Sequence, residues 1–385
     1  MHLYLFVWRK GNYDQLMIEG DMGSGPLKKI LLPLDDSDIA AEILPVISQL
    51  AKKLNATVLL HSVIDPMSYK PLLDGLSIMA RGDGLTPNFQ PQRSLPPLDE
   101  TIPIAVITEK ADRYLARIAF QLAQYGVEAR ALITSGEPAD EIARQAELNQ
   151  CDLIAMSTHG RNFITSAVLG SVTTKVIRST TIPVLAIAPG RARDFLDKIW
   201  DSTEHGHQSA LSRQQGNSYK YIDKEIGAIT AIAALLDGSE LAEDVFPYVV
   251  RLAQALTLEV VLLRAVTNDL PYLEPSGAMT DFGADFQTID DALIGEAERY
   301  LDEKAEVLEK AGLKVRAQVL RGPPVPAIID YTQQNQISMI AMTTRGRSGL
   351  TRLVLGSVTD SLIRASGRPV LVVPPRLRVS SHAER

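Results

Sequence analysis

Short, almost wholly apolar runs alternate along this chain with longer stretches in which apolar residues recur every three or four positions. LKKILLPLD (27–35) and TVLLHSVI (57–64) are of the first kind, and Ile39, Ile43, Ile47, Leu50 and Leu54 between them are of the second. The first pattern belongs to strands buried on both faces, the second to an amphipathic helix. The alternation predicts a helix over roughly 105–125, a strand at 127–133, a helix at 138–149, a strand at 152–157, a helix at 171–179 and a strand at 183–188. With helices between successive strands, the expected fold is α/β, a parallel doubly wound sheet flanked by helices.

The order then repeats, with strands at 227–237, 258–266, 313–320, 338–343 and 369–374. A helix over 292–310 is expected to turn Glu296, Glu303 and Lys304 to solvent. Residues 152–189 and 338–375 align without a gap and are identical at about half of their positions, so two copies of one domain are present. The identities gather on Gly160, Arg161, Gly170, Ser171 and Val172 in the first copy and on Gly346, Arg347, Gly356, Ser357 and Val358 in the second. The expected organisation is an extension at 1–26, a domain at 27–190, a polar linker at 191–225, a domain at 226–376 and a tail at 377–385.

Composition narrows the function classes. The 385 residues are 45% hydrophobic and 22% charged, with a net charge of -7, which argues against a general nucleic-acid binder. No window approaches the about 18 apolar residues of a membrane span. The apolar run from His2 to Trp8 is too short for a signal-peptide core, so the expected location is the cytoplasm. The single cysteine, Cys151, precedes an apolar run and is expected to be a buried, reduced thiol. His and Cys show no metal-ligand spacing, and His205-Gly206-His207 falls in the linker.

Candidate chemistry lies at the strand ends. Asp35-Asp36-Ser37 and Asp237-Gly238-Ser239 each follow a first strand, where an Asp beside a switch point reaches ribose hydroxyls. Ser37 and Ser239 are expected to cap the following helix. After the fourth strand comes Gly160, nine residues, then Gly170-Ser171, matched by Gly346, nine residues, then Gly356-Ser357. Glycine lets backbone amides approach a phosphate closely, and a helix start favours an anion. There is no G-x-x-x-x-G-K-[ST] loop and no G-x-G-x-x-G after the first strand. No nucleophile is paired with a general base, so fast catalysis has no evident machinery.

Both halves resemble universal stress protein domains, whose ATP-binding members carry Gly, two residues, Gly, nine residues, Gly, then Ser or Thr. The resemblance covers about 27–189 and 226–375. It implies strand order 3-2-1-4-5 in each half and a nucleotide site built from Asp35, Val63, Ser157, Gly160, Arg161, Gly170, Ser171 and Val172. The corresponding set is Asp237, Val266, Thr343, Gly346, Arg347, Gly356, Ser357 and Val358. Val63 and Val266 are the implied adenine contacts, and Ser157 and Thr343 replace the first glycine of the motif. The implied cofactor is ATP or another adenine nucleotide, with any Mg²⁺ arriving on its phosphates. The implied partner surface is the fifth strand, Val184–Ala188 against Val370–Val373, which would pair the domains within one chain and leave homo-oligomers open. Phe163 against Gly349 makes the second site the expected tighter one. Two alternatives stay open: a module that binds no nucleotide and serves dimerisation or partner binding, and a slow ATPase.

Overall fold

The computed structural model describes residues 26–37, 43–65, 67, 101–158, 169–188, 229–267, 282–344 and 355–375, with the side chains of 101–104 and 282–288 excepted. Residues 1–25, the expected linker with His205 and His207, and the expected tail lie outside the described residues. The first half runs β1 (Lys29–Pro33), α1 (Leu44–Leu54), β2 (Thr57–Ile64), α2 (Thr101–Gln124), β3 (Ala129–Ser135), α3 (Pro138–Leu148), β4 (Leu153–Ser157), α4 (Ser171–Ser179) and β5 (Val184–Ile187). The second half runs β6 (Ala231–Leu235), a 3-10 turn (Ala242–Val245), α5 (Phe246–Leu256), β7 (Glu259–Val266), α6 (Phe282–Lys310), β8 (Val315–Arg321), α7 (Pro324–Gln334), β9 (Met339–Thr343), α8 (Ser357–Ala365) and β10 (Val370–Val373). Apart from the 3-10 turn and the start of the long helix, each described element has the length of its counterpart. Positions therefore equate one to one: Asp35 with Asp237, Tyr114 with Tyr300, Gly170 with Gly356.

The ten strands form one sheet in the order β3-β2-β1-β4-β5-β10-β9-β6-β7-β8. Neighbours within each half are parallel, whereas β5 and β10 run antiparallel. Leu185 lies opposite Leu371, its own counterpart, which is the signature of a local two-fold axis. The edges of the sheet are β3 and β8. Each carries an exposed arginine, Arg130 or Arg316, and charge on an edge discourages pairing with another chain.

Alternate residues of each strand enter opposite layers. Ile30, Leu32, Val58 and Leu60 pack with α1 and α2, while Leu31 and Leu59 pack with α3 and α4. The second half repeats this, with Ile232 and Ala234 toward α5 and α6 and Ala233 toward α7 and α8. Burial on both faces is why the runs read as continuous apolar sequence. Local signals set the helix limits. Pro138 opens α3, and the Glu137 carboxylate accepts from the Asp140 amide at 2.9 Å; α1 and α5 end in Asn55 and Thr257 at φ +49° and +56°. No described helix is long and apolar enough to cross a membrane.

Candidate functional site

β1 stands between β2 and β4, and β6 between β7 and β9, so the chain departs in opposite directions from their carboxyl ends. That is where an open α/β sheet forms its ligand crevice. In the first half the Asp35 Oδ1 accepts from the Ser37 amide at 3.2 Å and from its hydroxyl at 2.5 Å. In the second the Asp237 Oδ1 accepts from the Ser239 amide at 2.9 Å and its hydroxyl at 2.6 Å. The residue between has a left-handed backbone in both, Asp36 at φ +62° and Gly238 at φ +82°. Each acid is thus fixed in a tight turn at the strand end.

Ser239 Oγ accepts from the Ala242 amide at 3.2 Å and so caps the 3-10 turn that leads into α5; the residues directly after Ser37, where its capping is expected, lie outside the described residues.

Beyond the neighbouring parallel strands β4 and β9 come the starts of α4 and α8. The Gly170 amide donates to the Thr158 carbonyl at 2.8 Å, and the Gly356 amide donates to the Thr344 carbonyl at 3.0 Å. A Cβ on Gly170 would lie 2.8 Å from that Thr158 oxygen, and one on Gly356 would lie 3.2 Å from the Thr344 oxygen. Close approach, not backbone dihedral, demands these glycines, since φ is -55° and -61°. Thr173 and Thr359 then tie each helix to its strand by donating to the carbonyls of Ser157 (2.9 Å) and Thr343 (3.3 Å). Ser171 and Ser357 are exposed at the helix starts with Val172 and Val358 half-buried beside them. Ser157 and Thr343 are buried at the ends of β4 and β9.

Val63 and Val266 are not equivalent positions. Val63 pairs with Thr134 and Val266 with Arg321, so the counterpart of Val63 is Ala265 and that of Val266 is Ile64. Each strand ends in two apolar residues in a row, and only the register separates the faces. Gly160, Arg161, Gly346 and Arg347, with His159, Arg345, Phe163 and Gly349, lie outside the described residues.

The surroundings of the two crevices differ in charge. Beneath the first, His61 is fully buried, with Nε2 at 2.9 Å from Thr134 Oγ1 and Nδ1 without a partner. Burial lowers its pKa to about 4; Glu141 opposes that shift, and Arg144 reinforces it. The Glu141 carboxylate is engaged by Arg144 at 2.9 and 2.7 Å, a pairing that holds it below the usual carboxylate range. At the rim, Lys175 on α4 reaches Glu137 at 2.8 Å and Asp140 at 3.2 Å. The second half has Leu263 for His61, and Pro323, Pro326 and Ser361 for this rim triad.

The second half keeps its polar groups on the other face. Arg264 of β7, only 6% exposed, lies under the Gly238 turn. Its Nη2 donates to Glu296 Oε1 at 3.3 Å, and its guanidinium stands 5.3 Å from the Tyr300 ring centre. The Tyr300 hydroxyl donates to Glu243 at 3.0 Å. Burial, with Glu243 beside it, pushes that hydroxyl far above its ordinary range, so it stays protonated. Lys304 also reaches Glu243, at 3.3 Å, with its side chain 12% exposed. The solvated face expected for Lys304 is therefore corrected: a carboxylate from the 3-10 turn draws it inward.

Cys151 is buried and free, and burial pushes its thiol up to about 11. Among the described residues no three His, Cys, Asp or Glu side chains come together as a metal centre would require.

The model of the universal stress protein family matches residues 26–188 and 229–374, the two halves that carry these crevices. The chain belongs to the universal stress protein family. It is 25% identical over 348 residues to universal stress protein Slr1230 of Synechocystis sp., covering 90% of this chain and 99% of that protein. Universal stress protein MJ0577 of Methanocaldococcus jannaschii is 31% identical over 161 residues, which is 42% of this chain and 94% of that protein. Among solved structures, a universal stress protein from Archaeoglobus fulgidus covers 90% of this chain, with 96% of its own length, at a TM-score of 0.56 and 20% identity. That likeness carries the fold.

Sequence reasoning missed Arg264, Glu296, Asp36 and Lys110 as neighbours of the crevice. One signal was available: Arg264 is a cation within the apolar run LEVVLLRAV, where the first half has Ser62. A charge inside a two-sided strand needs a partner from the helix above.

Proposed function

We propose that each half of this universal stress protein binds an adenine nucleotide, ATP in the first instance, at its switch point in the cytoplasm. Occupancy then serves a regulatory or protective role under stress. The observation that carries this reading is the double occurrence of an acid turn at the end of one strand and, beyond the end of its parallel neighbour, a glycine that opens a helix. Asp35 and Asp237 are suited to accept from ribose hydroxyls. The amides and hydroxyls at Ser171, Val172, Ser357 and Val358 suit phosphate oxygens, since the first amides of a helix have no acceptor within it. Gly160, Arg161, Gly346 and Arg347 extend the phosphate side by their place in the sequence. The apolar ends of β2 and β7, which include Val63 and Val266, suit the adenine, and Ser157 and Thr343 line the base of the crevice. Bound nucleotide brings Mg²⁺ with it and supplies the charge that the helix starts compensate. Gly349 in place of Phe163 favours the second site. The β5 to β10 register supports a chain that carries its own domain pair.

A second reading is a dimerisation or partner-binding module without nucleotide. It is favoured by Gly170, whose closeness to the Thr158 oxygen already accounts for a glycine. Mass spectrometry of small molecules released from the purified chain separates the two. An adenine nucleotide is expected, and ATP at about one hundred times its Kd should stabilise the fold by about 2.7 kcal/mol. Release of none, together with an unchanged Tm in millimolar ATP, overturns the first reading in favour of the second.

A further inference from the structure

The acid turn and the long helix beside it are joined by charge in both halves, with opposite polarity. In the first half the acid is on the turn: Asp36 Oδ2 meets Lys110 Nζ on α2 at 2.7 Å, and Lys110 is 72% exposed. The position equivalent to Lys110 is Glu296 on α6, and the position equivalent to Asp36 is Gly238. The cation of the second half comes instead from the strand, as Arg264 in place of Ser62. A Cβ at 238 would lie 3.0 Å from the Arg264 Cζ and 3.1 Å from both Nη atoms. Gly238 and Arg264 therefore fit one another: removing the side chain from the turn makes room for a guanidinium beneath it. Tyr300 supports that guanidinium from the helix side.

We infer that Arg264 is a positioning residue for Asp237, a latch between α6 and the acid turn whose cation is buried, and that Asp36 with Lys110 forms the version of the same latch whose cation is exposed, in the first half. Arg264 touches no nucleotide in this scheme; it acts by holding the turn. The effect on affinity rests on the nucleotide reading above, whereas the latch itself does not. Two consequences follow from the exposure of the pairs. At about 1 M salt, where the Debye length falls to about 3 Å, the Asp36 to Lys110 pair, whose cationic side chain is 72% exposed, is screened more than the Arg264 to Glu296 pair, whose cationic side chain is 7% exposed and whose acid is 59% exposed. Exchanging three residues at once, Gly238→Asp, Arg264→Ser and Glu296→Lys, should build the first-half latch in the second half.

Peptide-resolved hydrogen exchange on the full chain reads the halves separately, with Mg-ATP as probe. Arg264→Ser is expected to raise the ATP concentration for half-protection of the second half about tenfold, the loss of one charge-assisted interaction, and to leave the first half unchanged. The triple variant should recover most of that loss and make it salt-sensitive. No shift with Arg264→Ser, an equal shift in both halves, or failure of the triple variant to recover overturns the inference. A second arm needs no ligand: high salt should speed exchange at the Asp36 turn more than at the Asp237 turn. If ATP protects neither half, the nucleotide reading fails, and this arm alone decides the latch; equal salt responses overturn it.

Discussion

Where β2 buries a histidine followed by a serine, β7 buries a leucine followed by an arginine. These consecutive residues face opposite layers, so the first half is polar toward α3 and the second is charged toward α6. The backbone is the same in both. What differs is the helix that answers: Thr134 on β3 and the Glu141 to Arg144 pair on α3 surround His61, and Glu296 and Tyr300 on α6 surround Arg264. A doubly wound sheet accepts a buried polar group on either face when the layer above supplies a partner. The duplicated halves have used that freedom in opposite directions.

The largest expected effect lies at His61. Its pKa is lowered to about 4 in the fold, against about 6.5 unfolded. As pH falls below the unfolded value, the unfolded chain takes up a proton that the folded one refuses, so stability drops until the pH reaches the folded value. The loss between neutral pH and pH 4 should approach about 3 kcal/mol. His61→Leu, the residue of the second half, should remove it. Urea denaturation of both proteins across this range measures the difference, and parallel pH curves would refute the assignment.

A smaller difference is expected at the helix starts. Gly170→Ala places its Cβ 2.8 Å from a backbone oxygen and Gly356→Ala 3.2 Å. Gly170→Ala should cost about 1–3 kcal/mol, as overpacking does, and Gly356→Ala less than that. Thermal unfolding of the two variants decides the ranking; a costlier Gly356→Ala would reverse the comparison.

The smallest effect concerns the seam. Asp152, just before β4, accepts from the amides of Lys28 and Lys29 at 2.8 and 3.0 Å and meets Arg251 of α5 at 3.8 Å. The equivalent positions are Ser338 and Gln49, and Ser338 Oγ accepts from the Thr230 amide at 3.0 Å. Asp152→Ser should therefore keep an acceptor for the Lys28 amide and lose the Lys29 bond and the ion pair, at a cost of about 1 kcal/mol. A double-mutant cycle with Arg251→Gln isolates the coupling across the seam, and a coupling of zero would make the seam symmetric in energy as well as in register.

Much of the fold was legible because its cause is local. Ile30 to Leu32 and Val260 to Leu263 read as strands since burial on both faces leaves no polar position, and Gly170-Ser171 marked a helix start through the needs of close approach. Asp35 and Asp237 were legible as strand-end acids for the same reason. Lys304 was misplaced because its partner, Glu243, comes from the 3-10 turn far back in the chain, which no helical periodicity records. Val63 and Val266 were equated because a run of apolar residues does not say which of them faces which layer.

The amino-acid sequence by itself determined that two copies of an α/β unit are present, that each has an acid after its first strand, and that each has a glycine before its fourth helix. Periodicity and turn chemistry act within a few residues, so they survive in one dimension. Only the tertiary structure decided that Leu185 lies opposite Leu371, that Gly238 makes room for Arg264, and that Asp36 reaches Lys110 where Glu296 reaches Arg264. Those are pairings across strands and between layers, and their energies depend on register and burial that the linear order of residues does not contain.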